Sequence, residues 1–392
     1  MRALAAVVAG LLAIDSGAAA DPGRAIFEGQ PGAAGAALIG SARVPIQKFA
    51  CRNCHRRDGE GGGEGDAPPI TWQALTQPTE ERPAYDTRAF ARALSTGKAP
   101  GGRDLSRLMP RYDLDEEVVA KLIAHLTRLP AEQRAGVLPD RIVLAVPVQA
   151  GDLRLAKALE AAIVARQPPN GTHGRRIVLQ MLSGDMPEIL TSVRSEATAV
   201  LSPVHGTAEF TAAGIPVLFP LAAISEADDP ELVRSLYATR EQLHAALAER
   251  ARTDGCSLDD GATDCALIAD GGGAVVGDWA DTTRLYLTVE SAHALGPAIV
   301  GIGGTLVIAR HEAATLTRAA ATEQEPLDVH AALVAEILLD ALTVAGRDLT
   351  RTALMEAIGQ VARPDLGLSF RPGAPSGSDA VAIYVVNPKE DR

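Results

Sequence analysis

From Ile142 to Val386, short runs of β-branched and aliphatic residues alternate with stretches of helical character. A chain patterned in this way folds as an α/β unit whose parallel sheets are covered by helices. The expected strands are Ile142 to Val146, Ile177 to Met181, Ala199 to Ser202, Pro216 to Phe219, Leu285 to Val289, Thr305 to Ile308 and Ala382 to Val386. Helices are expected at Arg154 to Arg166, Glu188 to Ser195, Glu241 to Arg250, Leu327 to Ala345 and Thr350 to Gly359. Only 3% of residues are aromatic, so Ala, Val, Leu and Ile must fill the cores, and a stacked-ring platform for nucleic acid is excluded.

The segment before residue 140 reads differently, and 392 residues exceed what one core usually organises. Residues 21–130 carry 15 Lys and Arg against 14 Asp and Glu, while residues 131–392 carry 21 against 34. The net charge of −12 repels phosphate backbones and anionic lipid headgroups, so no nucleic-acid partner is expected. Residues 1–20 have the form of a secretory signal peptide: Arg2, an apolar run from Ala3 to Ile14, then Ala18, Ala19 and Ala20 before Asp21. Asp15 interrupts that run well short of the roughly 20 apolar residues that a membrane span needs. The expected organisation is therefore a signal peptide (1–20), a first domain (21–130), a linker (131–139) and an α/β domain (140–392). The mature protein is expected to be exported without spanning a membrane, into the periplasm of a cell with two membranes.

Cys51, Arg52, Asn53, Cys54 and His55 form C-x-x-C-H, the c-type haem attachment pattern. Two thiols three positions apart on one helical turn can each form a thioether to a haem vinyl group, while the adjacent His reaches the iron. A thioredoxin-like pair opens a helix after a strand in a βαβ unit, and a zinc site requires two further ligands nearby; neither context surrounds this motif. The Gly-rich polar stretch at residues 58–69 comes next in the chain, as a loop. A Met thioether is one option for a sixth iron ligand, and Met109 is the sole Met between residues 2 and 180. It lies in Leu108-Met109-Pro110-Arg111-Tyr112, just before an amphipathic helix expected from Leu114 to Leu129.

Here the segment resembles class I cytochrome c, in which a Met-Pro motif precedes a C-terminal helix packed across the N-terminal one. The resemblance implies an all-α domain with one covalent haem c, His55 as proximal and Met109 as distal iron ligand, and Pro68-Pro69-Ile70 along the haem edge. His125 is the rival ligand, its plainer reading being a partly exposed helix residue. Arg52, Arg56 and Arg57 read either as a solvated basic face or as a rim for an acidic redox partner or a haem propionate.

Residues 140–392 resemble the type I periplasmic binding proteins, in particular the branched-chain amino-acid binding kind that serves ABC importers. The resemblance rests on Ala199-Val200-Leu201-Ser202-Pro203 with Gly206-Thr207 shortly after, on Gly214-Ile215-Pro216-Val217-Leu218, on Gly346-Arg347-Asp348-Leu349-Thr350-Arg351 and on Gly377-Ser378-Asp379. It implies two lobes closing on a ligand cleft, with Ser202, His205, Gly206 and Thr207 as the residues that would hold a ligand carboxylate. Relative to that family the first lobe is abbreviated around Gln167 to Gly174.

Cys256 and Cys265 are expected to form a local disulfide in an oxidising compartment. Asp259, Asp260 and Asp264 between them lack EF-hand spacing and read as a solvated acidic loop. Gly271-Gly272-Gly273 has no phosphate-loop frame, and no nucleophile elbow or metalloprotease helix is present.

These features support three readings. The first is a non-enzymatic periplasmic electron carrier that relays electrons from a dehydrogenase, its second domain docking that partner or sensing a small molecule. The second is a solute-binding receptor whose occupancy is coupled to the haem. The third is a peroxidase-like protein with a five-coordinate haem.

Overall fold

In a computed structural model of the chain, the described residues are 21–63, 66–148, 153–256, 265–268, 284–295, 304–371 and 373–387. The expected signal peptide, the aspartates at 259, 260 and 264, and the glycines at 271–273 lie outside them. The chain divides into two units, Met1–Ala131 and Glu132–Arg392.

The first unit contains α1 (Pro22–Glu28), β1 (Ala36–Ile39), β2 (Ala42–Pro45), α2 (Cys51–His55), α3 (Trp72–Thr76), α4 (Thr87–Thr96) and β3 (Arg111–Asp113), and α5 (Glu116–Gln133) begins in it. Asp21 starts α1 by accepting the backbone N–H groups of Gly23 and Arg24, and Gly29 ends it in the left-handed region. Gly23 then lies against α5 so closely that a β-carbon there would sit 2.2 Å from the Lys121 carbonyl oxygen. One turn on, the Phe27 and His125 rings pack with centroids 5.2 Å apart. Ile26, Phe27, Leu122 and Leu126 are buried in the cluster below this crossing. Burial alone would raise the Asp21 carboxyl, but His125, the Arg24 N–H and Arg128 outweigh it and hold it well below the usual carboxylate range.

This unit is not all-α. Its strands form a three-stranded antiparallel sheet in the order β2-β1-β3, with Ala37 opposite Tyr112. The segments AALI, ARVP and RYD carry little strand signal of their own, and β3 joins β1 from more than 70 residues away, so pairing rather than propensity makes this sheet. Within the expected linker at 131–139, α5 continues through Pro130 to Gln133, and Val137 packs on the core of the second unit. Gln133 Oε1 accepts hydrogen bonds from the Thr352 N–H (3.1 Å) and hydroxyl (3.0 Å). A β-carbon on Gly136 (φ +74°) would fall 2.4 Å from the Thr198 nitrogen.

The second unit runs β4 (Arg141–Pro147), α6 (Arg154–Arg166), β5 (Arg176–Leu182), α7 (Met186–Glu196), β6 (Ala199–Leu201), α8 (Thr207–Ala212), β7 (Val217–Leu218) and β8 (Val233–Arg234). It continues with α9 (Arg240–Thr253), β9 (Cys265–Ile268), β10 (Arg284–Thr288), α10 (Val289–Leu295), β11 (Thr305–Arg310), α11 (Ala313–Thr322), α12 (Pro326–Ala345), α13 (Arg351–Ile358), β12 (Ala362–Arg363), β13 (Leu368–Ser369) and β14 (Ala382–Val386). The order β5-β4-β6-β7-β8 makes a five-stranded parallel sheet, the centre of the first lobe. One face packs on α6, α12 and α13 through residues such as Leu144, Leu159, Leu338 and Leu354, and the other on α7 and α8 through Val200, Val193 and Phe210. The second lobe is the sheet β14-β11-β10-β9, parallel except for β14, with α9 on one face and α10 on the other. The expected two-lobed α/β arrangement is therefore present.

Local chemistry sets the element ends. Thr239 and Gln242 form a reciprocal capping box at the start of α9. Arg351 reaches back 154 residues to the Ala197 carbonyl (2.8 Å) and also bonds those of Val193, Arg194 and Thr198, which terminates α7. A disulfide joins Cys256 and Cys265. Among the described residues no helix is long and apolar enough to cross a membrane.

Gly23→Val is expected to destabilise the first unit by about 1–3 kcal/mol through overpacking against α5, read as a lowered melting temperature by circular dichroism. An unchanged melt would mean that α1 and α5 do not cross at Gly23.

Candidate functional site

α2 places Cys51, Cys54 and His55 on a single helical turn. The two cysteines are three positions apart, hence on the same face, and neither is in a disulfide. His55 is buried, with its Nδ1 2.7 Å from the Pro68 carbonyl oxygen. A carbonyl only accepts, so Nδ1 carries the hydrogen and Nε2 keeps its lone pair, the state in which an imidazole ligates a metal. Burial lowers the pKa of this ring, partly offset by the Pro68 carbonyl, so the lone pair is kept at neutral pH.

The Gly-rich stretch is a strap tied to this turn. Gly61 N–H donates to the His55 carbonyl (3.0 Å) and Gly63 N–H to that of Cys54 (3.1 Å). A β-carbon would meet the Ala67 oxygen at 2.2 Å from Gly61 and the Cys54 oxygen at 2.4 Å from Gly63, so these two positions require glycine. Burial, with a smaller contribution from Cys54, pushes the Cys51 thiol up to about 12. That is the reverse of a thioredoxin-type nucleophile, whose thiolate is stabilised. Among the described residues no group of three or more His, Cys, Asp or Glu is arranged to hold a metal ion, so the cysteine pair has no companions there for a four-ligand zinc site. A thiol pair on one face, with a buried His presenting Nε2, is the donor set that covalent haem needs.

Met109 is half-buried and packs against the same apolar cluster as Cys51, Ile70 and Trp72. Its carbonyl accepts from Arg111 (2.6 Å), and the next strand residue, Tyr112, donates its hydroxyl to the Phe49 carbonyl (2.9 Å), just ahead of α2. The Met109 segment and the C-x-x-C-H turn thus border one core. His125, expected to be partly exposed, is buried beneath α1 with Nδ1 3.6 Å from Asp21, because the helix crossing covers it. The arginines do not form a solvated rim: Arg57 is buried against Glu28 (2.9 Å), Arg52 donates to the Glu28 carbonyl (3.2 Å), and Arg56 lies 3.8 Å from Asp58. The residue that engages two of them comes from α1, out of sight of the local sequence.

In the second unit, β4 has β5 on one side and β6 on the other, so the winding reverses between β4 and β6. Ligands of open parallel sheets settle outside the carboxyl ends of the strands at such a reversal, which here is where Ser202 to Thr207 lie. The four expected ligand residues do not act alike. His205 is exposed, and Gly206 and Thr207, at the start of α8, are half-buried. Ser202 is fully buried at φ 47° and faces inward, with Oγ 2.9 Å from His330 Nε2, so its side chain is withdrawn from any cleft.

His330 belongs to a polar chain that sequence reasoning missed. Tyr237 O–H lies 2.5 Å from His330 Nδ1, and the Thr315 hydroxyl donates to the Tyr237 oxygen at 3.1 Å. Burial pushes the His330 pKa down to about 3, so the ring is neutral. The proton order is then Thr315 to Tyr237 to His330 Nδ1, with His330 Nε2–H donating to Ser202. Isolated histidines at 311 and 330 were the available signal, but nothing local marks their partners.

No protein-family model matches the chain, and no curated protein matches it. Similar solved structures include a possible leucine/isoleucine/valine-binding protein from Rhodopirellula baltica SH 1, at 12% identity over 64% of this chain and 98% of that one, with a TM-score of 0.48. A fatty acid ABC transporter substrate-binding protein from Thermomonospora curvata is 14% identical over 66% of this chain and 92% of that one, with a TM-score of 0.47. An ABC transporter substrate-binding protein from Desulfitobacterium hafniense in complex with Leu is 16% identical over 62% and 96%, with a TM-score of 0.42. Each is a low-level likeness, and none of these proteins' ligands is thereby assigned to this chain.

His330→Leu is expected to leave the buried Tyr237 O–H without its acceptor and the Ser202 oxygen without its donor, and to cost about 1–3 kcal/mol, measured by urea unfolding of the full chain. A stability equal to that of the native protein would show that the polar chain is not formed.

Proposed function

We propose that this is an exported, non-enzymatic receptor with two working parts: a first unit that carries one covalent haem c, and a second unit that takes a small solute. The observation that carries the first half is the His55 ring, buried on the same helical turn as two cysteines that form no disulfide, and oriented by the Pro68 carbonyl so that Nε2 keeps its lone pair. Cys51 and Cys54 would hold the group by thioethers, and His55 and Met109 would be its axial ligands. Bound there, haem supplies one-electron chemistry. The chain's own contribution is to bury the ring of His55, fix its tautomer, and shield the attachment turn with the strap at residues 58–63 and the tied arginines. The second half is supported by the strand reversal between β4 and β6, with exposed His205 and half-buried Thr207 at its edge.

A second reading, an electron relay from a periplasmic dehydrogenase with the second unit as a docking surface, is favoured by one observation. The Ser202 hydroxyl at that edge is committed to His330, which removes a ligand contact.

Three experiments test these readings, the first two the haem that both share and the third the solute that separates them. Chain matured with haem-attachment machinery should give a haem band that survives denaturing electrophoresis and is lost in Cys51→Ala/Cys54→Ala. Met109→Ala should keep the haem attached and lower its reduction potential; an unaltered potential, or carbon monoxide binding by the native protein, would remove Met109 as ligand and favour the peroxidase-like reading. In a thermal-shift screen of the full chain against amino acids, small organic acids, alcohols and quinones, a solute at a hundred times its Kd stabilises the folded state by about 2.7 kcal/mol. A hit that also moves the haem potential establishes the receptor; silence across the screen leaves the relay.

A further inference from the structure

The two lobes of the second unit are tied to each other at a point where neither sheet continues. On the first-lobe side is the segment after β7, where Leu221 packs on the first lobe's core and Ala223 on the second lobe's. On the other side stand Glu290, in the first turn of α10, and His311, the residue after β11. His311 Nε2 is 2.7 Å from the Leu221 carbonyl oxygen, and Glu290 Oε1 is 3.3 Å from the Ala223 nitrogen, which donates to it. His311 Nδ1 lies 3.2 Å from the same Glu290 oxygen and 4.0 Å from Glu312 Oε2. The His311 side chain is 1% exposed, and Nε2 is hydrogen-bonded while Nδ1 meets the two carboxylates at ion-pair distance without an aligned hydrogen bond.

The oxygens decide the protonation state. A carbonyl only accepts, so Nε2 carries a hydrogen; carboxylate oxygens stand 3.2 and 4.0 Å from Nδ1 and would repel a lone pair there, so Nδ1 carries one as well. An imidazole with two N–H groups is an imidazolium. We propose that His311 is a proton-operated clasp between the two lobes: charged, it bridges Leu221 to Glu290; neutral, it turns a lone pair toward two carboxylates or loses its bond to Leu221, and the lobes loosen. The clasp stands whether or not the cleft takes a solute.

The groups facing the ring are Glu290 from α10, Glu312 beside it in the chain, and Tyr237, whose ring meets it edge-on at 5.3 Å. Arg310 pairs with Glu312 at 3.4 Å, and neutral His330 stacks on Tyr237 at 5.7 Å. Burial lowers the His311 pKa, but Glu290, Glu312 and the Leu221 carbonyl outweigh it and hold it above the ordinary value of 6.5. Stability from the clasp is therefore fully present below pH 6.5 and is lost as the pH rises through the raised folded-state value.

Hydrogen exchange of the full chain, read by mass spectrometry and corrected for intrinsic rates, tests the clasp. Peptides holding Ala223 and the start of α10 should lose up to about tenfold protection per pH unit between pH 6.5 and the raised folded-state value and level off above it, while α12 peptides keep theirs. His311→Gln keeps an N–H for Leu221 and does not titrate, so its protection should be independent of pH. Glu290→Gln should move the transition to lower pH. Flat protection in the native protein, a pH dependence that survives in His311→Gln, or an unmoved transition in Glu290→Gln would each overturn the proposal; the last decides even if His311→Gln does not fold.

Discussion

His330 sits in α12 with no access to water, and two polar nitrogens in that position must be paired inside the protein. The partners come from separate places: Ser202 from the end of β6, Tyr237 from the segment after β8, and, through Tyr237, Thr315 from α11. Each of these elements also buries apolar surface, but apolar burial is non-directional and would tolerate sliding. The hydrogen-bonded chain does not, so it fixes where α12 stands relative to the first-lobe sheet and where the chain crosses to the second lobe. His311, edge-on to Tyr237, brings a second buried imidazole to the lobe boundary, with carboxylates rather than hydroxyls near Nδ1.

The two buried histidines differ because their neighbours do. Hydroxyls surround His330, can donate or accept, and let the ring stay neutral. Around His311 the acceptors are a carbonyl and carboxylates, which demand hydrogens. His55 in the first unit is a third case: Nδ1 is committed to the Pro68 carbonyl, which fixes the tautomer. Three imidazoles in one chain thus take three roles according to what oxygen chemistry surrounds them.

The second unit is largely legible in its sequence, because continuous Val, Ile and Leu runs at strand length and amphipathic stretches at helix length are strong signals; the helix expected from Arg154 to Arg166 has those very ends in the structure. The sheet of the first unit is not, since strands of three or four residues such as Arg111–Asp113 have no pattern and exist only by pairing at a distance. Pro130 points to a break, yet α5 runs past it, because Gln133 is anchored to Thr352 some 219 residues away. The same limit governs the sites. C-x-x-C-H is local and readable, whereas the Ser202–His330 and Tyr237–His330 pairs span 128 and 93 residues and leave no local trace. Arg57 looks available from its neighbours and is buried against an acid on α1.

The route of the chain through the two lobes also sets a timetable. The first-lobe sheet is complete by Arg234, but α12 and α13, which cover one of its faces, run from Pro326 to Ile358. The second lobe in turn waits for β14, at Ala382–Val386, to close one side of its sheet. A chain emerging from its N-terminus leaves the Leu144 and Leu159 cluster without α12 for 182 and 167 residues of further synthesis. The first lobe lacks two of its covering helices until Ile358 has been made, and the second unit reaches its folded form only when almost all of it has been delivered.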